Sequence, residues 1–201
     1  MSADVRRTSG ATRATQARPP LWLRTSVPVG VVSQGGAAAL GAGLIAVAAD
    51  LDRLGVDLRG AALIVGFVLV YLNTHAVAHW FVGRIVGIRF QGFGLRGTDH
   101  PENYPPGLRH LMGALPMWVA MTDPESRHRA SPRTLAAMYA AGETSTTVCS
   151  VAAASAAFLA HVPWALGLLV FAVLWNLGAS IVVSVIDKGD YAKARRALRA
   201  R

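Results

Sequence analysis

Two histidines four residues apart, His75 and His79, sit near the end of a long uncharged stretch, in Asn73-Thr74-His75-Ala76-Val77-Ala78-His79-Trp80. On a helix that spacing puts both imidazoles on one face, the arrangement that grips a zinc ion from one side. Polar side chains are costly inside an apolar segment, so the pair reads as a functional site. The helical zinc-hydrolase motif H-E-x-x-H adds a glutamate after the first histidine, to take a proton from zinc-bound water. Here that position is Ala76. The stretch is suited to holding a metal and lacks the expected base.

The elements that must position this pair are apolar. Of 201 residues, 53% are hydrophobic and only 15% charged, and the mean hydropathy is +0.38. That balance argues for a membrane protein. Four stretches are long enough to cross a bilayer, which takes about 20 residues. They are Gly30–Ala49, Ala61–Val82 with the histidine pair, Thr134–Ala160, and Pro163–Ile186. The third owes its apolar character mostly to alanine and carries Glu143 and a Thr/Ser cluster. The fold class expected is an all-α polytopic membrane protein with about four transmembrane helices and a short β-rich segment after the second. Residues 30–186 would form the membrane domain.

The net charge of +9 lies outside the apolar runs, with arginines crowding residues 6–24, 84–133 and 188–201. Basic and aromatic residues do not interleave, so no nucleic-acid partner is expected. Residues 1–29 are rich in Arg, Ser, Thr and Pro without a long apolar core, and read as a disordered basic tail, not a cleaved signal. They hold five arginines against one aspartate; the loop 50–59 is balanced; the loop 83–133 holds seven arginines. Residues 187–201 form a second basic tail. Lys and Arg favour the cytoplasmic side. Four spans with both termini and the 83–133 loop inside satisfy every loop, with residues 160–163 outside. The partner implied is the lipid bilayer. The single cysteine, Cys149, excludes an internal disulfide and a Cys-based zinc site, and reads as a packing residue.

Within the long loop, Ile85–Leu95 alternates partly, as a strand or hairpin does. Leu111–Met121 is apolar with a central proline and too short to span; it either lies at or re-enters the interface, or packs on the bundle.

With this topology the second and fourth spans both run from outside to inside. His75 and His79 lie in the cytoplasmic third of one. Asp187 and Asp190 follow the end of the other, at similar depth. Two histidines and one carboxylate are a common catalytic zinc set, with the fourth position open for water. The bland alternative bridges helices by hydrogen bonds from the histidines to backbone carbonyls or hydroxyls, with Asn73, Thr74 and Asn176 as available partners. Two histidines on one helix cannot clamp both faces of a haem. Asp190 has its own plain reading, as a cap at the membrane boundary, with Lys193, Arg195, Arg196 and Arg199 on a helix lying against anionic lipid.

The order of these pieces resembles the site-2 protease family of intramembrane zinc metalloproteases. In that family a transmembrane H-E-x-x-H helix is followed by a β-rich segment. Next comes a helix opening with an A-G-P-x-x-N-like sequence, and last a helix with an Asn and a D-G motif. This chain offers His75-Ala76-Val77-Ala78-His79-Trp80, then Gly83 and Gly87-Ile88-Arg89-Phe90. Ser131-Pro132-Arg133 and Ala140-Ala141-Gly142-Glu143-Thr144-Ser145-Thr146 follow, then Trp175-Asn176-Leu177 and Gly189-Asp190-Tyr191-Ala192-Lys193-Ala194. The resemblance covers residues 60–198 and implies a zinc site of His75, His79 and Asp190, with Asp187 as rival third ligand. The departures are Ala76 for the Glu, Glu143 for the Pro, Thr146 for the Asn, and Tyr191 for the Gly. Asn176 also lies fourteen residues before Asp190 with no proline turn after it.

Three readings follow. One is a divergent, inactive metalloprotease-like protein. Another is a non-enzymatic membrane protein that binds the transmembrane helix of a partner in the retained groove. The last is an active protease whose Glu was replaced by Ala76. Glu143, a carboxylate inside a span, is bonded within the bundle or serves as a relocated acid–base or an extra ligand. His100, His110, His128 and His161 share no spacing and carry no assigned role. Most of the five tryptophans flank span ends, as interfacial aromatics do.

The charge pattern makes a topology prediction. In a Cys149→Ser background, an impermeant thiol reagent added to intact cells should label Asp52→Cys and leave Arg6→Cys and Arg199→Cys unlabelled. Labelling at either terminus overturns the orientation.

Overall fold

The computed structural model describes residues 20–98, 106–185, 187 and 189–200. It is mostly helical, with a small antiparallel sheet at one end of the bundle. The order is β1 (Leu23–Thr25), α1 (Val27–Asp50), α2 (Val56–Ile85), β2 (Phe90–Arg96), α3 (Leu108–Ala114) and β3 (Met117–Thr122). Then come α4 (Pro124–Arg129), α5 (Pro132–Leu159), α6 (Ala165–Val185) and α7 (Gly189–Arg199).

Three helices, α1, α2 and α6, are long and apolar enough to cross a membrane. Their outer faces are as apolar as their inner ones. Val32 is 73% exposed, Leu40 60%, Leu174 64% and Ile181 63%. In water such a surface would be a large hydrophobic liability, whereas lipid chains solvate it. The chain is therefore suited to a bilayer. The third sequence stretch does form a long helix, α5, of 28 residues. It does not reach the apolar composition of the other three, because Thr144, Ser145, Thr146, Thr147 and Ser150 occupy its middle.

All of those polar residues but the exposed Thr144 are buried or half-buried against protein. Thr147 Oγ1 donates to Asn176 Oδ1 at 3.2 Å, and Asn176 Nδ2 donates to Ser150 Oγ at 3.1 Å and to the Ala172 carbonyl at 2.7 Å. This network pins α5 to α6 antiparallel. It also occupies Asn176, which does not bond the histidines.

Helix α2 is the centre, packed between α1 and α5. The α1–α2 crossing is close because glycines face each other. A Cβ on Gly41 would lie 2.5 Å from the Gly66 carbonyl oxygen, and one on Gly66 would lie 2.6 Å from that of Gly41. Small residues at a crossing let backbones approach and gain dispersion contact where lipid removes any hydrophobic drive. The turn between the helices is tied by Arg59, whose Nε donates to the Ala48 carbonyl at 2.7 Å while its guanidinium pairs with Asp52. A cation there complements the C-terminal end of α1.

The sheet order is β1-β2-β3, with Phe93 opposite Thr25 on one side and Ala120 on the other. Phe93 is fully buried and its ring lies over Gly30 of α1. The Phe90 ring lies over Gly83 of α2. Both glycines leave room for a ring, so the sheet is clamped to the bundle end one turn from His79.

The mostly helical fold with a β-rich segment after the second long helix matches the expectation, and the segment is a sheet that draws a strand from each flank. Other expectations are corrected. Residues 23–29, expected as disordered tail, form β1 and the start of α1, because Leu23–Thr25 finds β2 as a partner; residues 1–19 lie outside the described residues. Leu111–Met121 is not a single element but the end of α3 followed by most of β3. Pro116 has no N–H and separates α3 from β3. Ile85 still belongs to α2, so the strand begins only at Phe90. The C-terminal tail is helix α7, packed on α5 with Asp190, Ala192 and Ala194 buried.

The glycine crossing is testable. Gly41→Val or Gly66→Val must force α1 and α2 apart, and overpacking of this kind costs about 1–3 kcal/mol or more. Thermal unfolding in detergent should show a lower Tm for both variants and no change for Gly43→Ala, whose added Cβ meets open space.

Candidate metal centre

His75 and His79 project from one face of α2 toward α5, and their ring nitrogens have different neighbours. His79 Nδ1 lies 2.7 Å from the Met138 carbonyl oxygen. A carbonyl only accepts, so Nδ1 carries the proton and Nε2 keeps its lone pair. His75 Nδ1 lies 3.0 Å from Thr146 Oγ1, and that hydroxyl donates its one proton to the Gly142 carbonyl at 3.1 Å. Thr146 must then accept from His75, so Nδ1 is again the protonated atom. Orienting partners of this kind are what set the tautomer of metal-binding histidines.

The two free Nε2 atoms meet a carboxylate. Asp190 Oδ2 lies 3.0 Å from each, and they lie 3.2 Å from one another. Three lone-pair donors therefore converge with no proton assigned between them. Only a cation reconciles them: a proton that makes one ring an imidazolium, or a metal ion. A tetrahedral zinc ion with ligands about 2.0–2.1 Å away needs ligand–ligand edges of about 3.4 Å. The triangle is close to that before any adjustment. The group His75, His79 and Asp190 is able to hold a metal ion.

Asp190 is fixed from its other side. Lys193 Nζ donates to Asp190 Oδ1 at 2.8 Å. Burial pushes the Asp190 carboxyl up, but where the cation is a proton, hydrogen bonds from the His75 and His79 ring N–H groups and the charges of the imidazolium and Lys193 outweigh it. They hold the group well below the usual carboxylate range. With its folded value depressed, Asp190 adds stability above the ordinary carboxylate range, and that contribution is lost as pH falls through the lowered value.

Glu143 is bonded within the bundle, one of the readings open to it in the sequence. Its Oε1 accepts from the Asp190 backbone N–H at 2.7 Å and its Oε2 from that of Tyr191 at 3.3 Å. It stands across the N-terminus of α7, where helix N–H groups lack partners and a negative charge is favoured. Thr144 adds a 2.9 Å bond to the Tyr191 hydroxyl. Helix α5 thus holds α7 in the place where Asp190 meets the histidines. Asp187, the rival ligand, is exposed, and its carboxylate pairs with Arg195 and Arg196.

Gly142 is the residue least visible beforehand. A Cβ there would lie 2.2 Å from His79 Nε2 and 2.8 Å from His75 Cε1. Its missing side chain is the space the imidazoles fill. Met138, Gly142 and Thr146 recur at four-residue spacing on α5, facing a four-residue histidine pair on α2; that matched period was the available signal. The two Nδ1 bonds are helix-bridging hydrogen bonds to a carbonyl and a hydroxyl, as the plainer reading has them, but to Met138 and Thr146 of α5 and not to Asn73, which bonds the Leu69 carbonyl, or Asn176. The group is not sealed, since the His75 side chain is 34% exposed against 13% for His79. His100 lies outside the described residues, and His110, His128 and His161 do not join the group.

Glu143→Ala should free the start of α7 without touching a histidine. Hydrogen exchange of the Asp190 and Tyr191 amides should speed up by at least about tenfold, a net hydrogen bond to a charged acceptor being worth about 1.5–3 kcal/mol. Glu143→Gln, which keeps the acceptor oxygen, should retain part of the protection. Unchanged exchange in Glu143→Ala would contradict the capping role.

No protein-family model, no curated protein and no solved structure matches this chain, so the meaning of the centre rests on its geometry.

Proposed function

We propose that this protein is a divergent relative of the site-2 proteases that holds one zinc ion through His75 Nε2, His79 Nε2 and Asp190 Oδ2, and that it does not cleave peptides. The observation that carries the metal is the convergence of three lone-pair donors whose other atoms are already satisfied. Nitrogen and carboxylate donors of this number suit zinc with one position left open. When bound, such an ion acts as a Lewis acid and lowers the pKa of a coordinated water.

The inactivity follows from what the residues do. His75 and His79 are oriented through Nδ1 and present fixed lone pairs. Asp190 spends one oxygen on the histidines and the other on Lys193. Glu143 spends both oxygens on backbone N–H groups. Residue 76 is a fully buried alanine. Among the described residues no uncommitted carboxylate stands beside the centre to take a proton from water. A general base is typically worth about 10²–10⁴ in rate, and that contribution is missing.

The membrane arrangement belongs to the same reading. Helix α5 runs antiparallel to both α2 and α6, and its polar middle faces them. It serves as a fourth crossing whose Ser and Thr residues are satisfied by neighbours instead of lipid. With the arginine-rich segments on the cytoplasmic side, the centre lies near the inner face. Its exposed side is at His75. The adjacent turn of α2 carries Tyr71, whose hydroxyl accepts from Trp175 Nε1 at 2.8 Å across to α6. That side is the approach for a partner or substrate helix.

The test uses proteoliposomes and a synthetic transmembrane-helix substrate, with metal content measured alongside because a longer side chain at buried position 76 must displace neighbours. The unaltered protein should not cut. Ala76→Glu should cut if its metal is retained. Robust cleavage by the unaltered protein, lost in Glu143→Gln, would overturn the inactive reading. No cleavage by a metal-loaded Ala76→Glu would favour a partner-binding protein over a disarmed protease.

A further inference from the structure

The helix that carries Asp190 also carries four basic residues. On α7, Lys193, Arg195, Arg196 and Arg199 point outward while Asp190, Ala192 and Ala194 are buried against α5. A second basic group lies beside it, where α4 turns into α5. Arg127, His128 and Arg129 line an open cavity of about 810 Å³ together with Glu125, Leu135 and Tyr139. The two groups are one surface. Lys193 Nζ sits over the Tyr139 ring at 5.9 Å from its centroid, and Leu198 shares a smaller hollow with Ser131, Pro132 and Arg133.

This surface holds seven exposed Lys and Arg side chains against exposed Glu125 and Asp187. Both acids are taken, Glu125 by Arg129 and Asp187 by Arg195 and Arg196. Arg127, Arg133 and Arg199 have no ion pair among the described residues. Its place relative to the apolar belt identifies the occupant. Helix α6 ends at Val185 with Ile181 63% and Val182 58% exposed, and α7 begins at Gly189. The basic face therefore starts where the lipid-facing surface stops, at the depth of headgroups.

We propose that the α4–α5 corner and α7 together bind anionic phospholipid headgroups, and that this contact holds α7 and Asp190 against His75 and His79. The first half stands on charge and position. The second rests on the metal centre described above. Cationic residues at this depth attract anionic lipid individually, and several act together. Helix α7 has eleven residues and is held to the bundle chiefly by α5. A headgroup bridging Arg133 and Arg199 ties its far end to the same helix that caps its start through Glu143.

The test uses the full chain in nanodiscs of phosphatidylcholine alone or with phosphatidylglycerol, and the Arg127→Gln/Arg133→Gln/Arg199→Gln variant, which touches no residue of the metal centre. Lipid mass spectrometry should find phosphatidylglycerol enriched around the native chain, with apparent affinity at least about tenfold weaker in the variant. Hydrogen exchange of α7 should be slower with phosphatidylglycerol for the native chain only. That pair of results supports the headgroup site whether or not zinc is present. Zinc retention that rises with phosphatidylglycerol supports the link to Asp190; retention indifferent to it in a zinc-loaded protein overturns that link. Equal enrichment in both proteins, or α7 exchange indifferent to lipid charge, overturns the site. Protection of α7 by inorganic phosphate in phosphatidylcholine alone, equal to that from phosphatidylglycerol, assigns the face to free anions and overturns the lipid assignment.

Discussion

Two imidazole lone pairs and one carboxylate oxygen meet within 3.2 Å, and both imidazole protons are already donated elsewhere. Most of the other placements follow from keeping those three atoms together. In an apolar bundle they would repel unless a cation sat among them, since burying unpaired charge or lone pairs is expensive. Helix α2 supplies both nitrogens, α7 the oxygen, and α5 the scaffold that orients all three. No two of these helices suffice.

Small residues make the meeting geometrically allowed. Gly142 gives the histidines their space on α5, and Gly41 and Gly66 let α1 close on the opposite side of α2. Polar residues make it directional. Thr146 and the Met138 carbonyl choose the tautomers, Glu143 sets the start of α7, and Lys193 occupies the second oxygen of Asp190. The same economy explains the inactive reading. Among the described residues, each carboxylate near the centre is engaged in holding it together.

Much of this was legible in the residues. The histidine pair shows itself through i, i+4 spacing inside an apolar run, and α1, α2 and α6 through length and hydropathy. Matching depth reached Asp190 only as one of two aspartates, and the resemblance favoured it over Asp187. What separates it from Asp187 is that Glu143 receives its backbone N–H while arginines take Asp187, a choice made by tertiary contact. The sheet was half legible: β2 alternates, but β1 is three residues long and β3 hides behind Pro116 in an apolar run. Short strands draw their stability from partners, so local pattern alone does not reveal them. Glu143 pointed to an unusual polar site, but its partner lies 47 residues away on α7. The resemblance to intramembrane metalloproteases pointed to His75, His79 and Asp190, and the structure brings these three together.

The cation that fills the triangle is either a proton or a metal ion. Elemental analysis of the protein purified without chelators and without a metal-affinity tag decides this most directly. It should contain about one zinc per chain, in keeping with a three-ligand site. Zinc should be lost in His79→Ala and Asp190→Ala and kept in Asp187→Ala. Equal metal in all four proteins, or none in any of them, would contradict the account and leave the triangle as a proton-bridged link between helices.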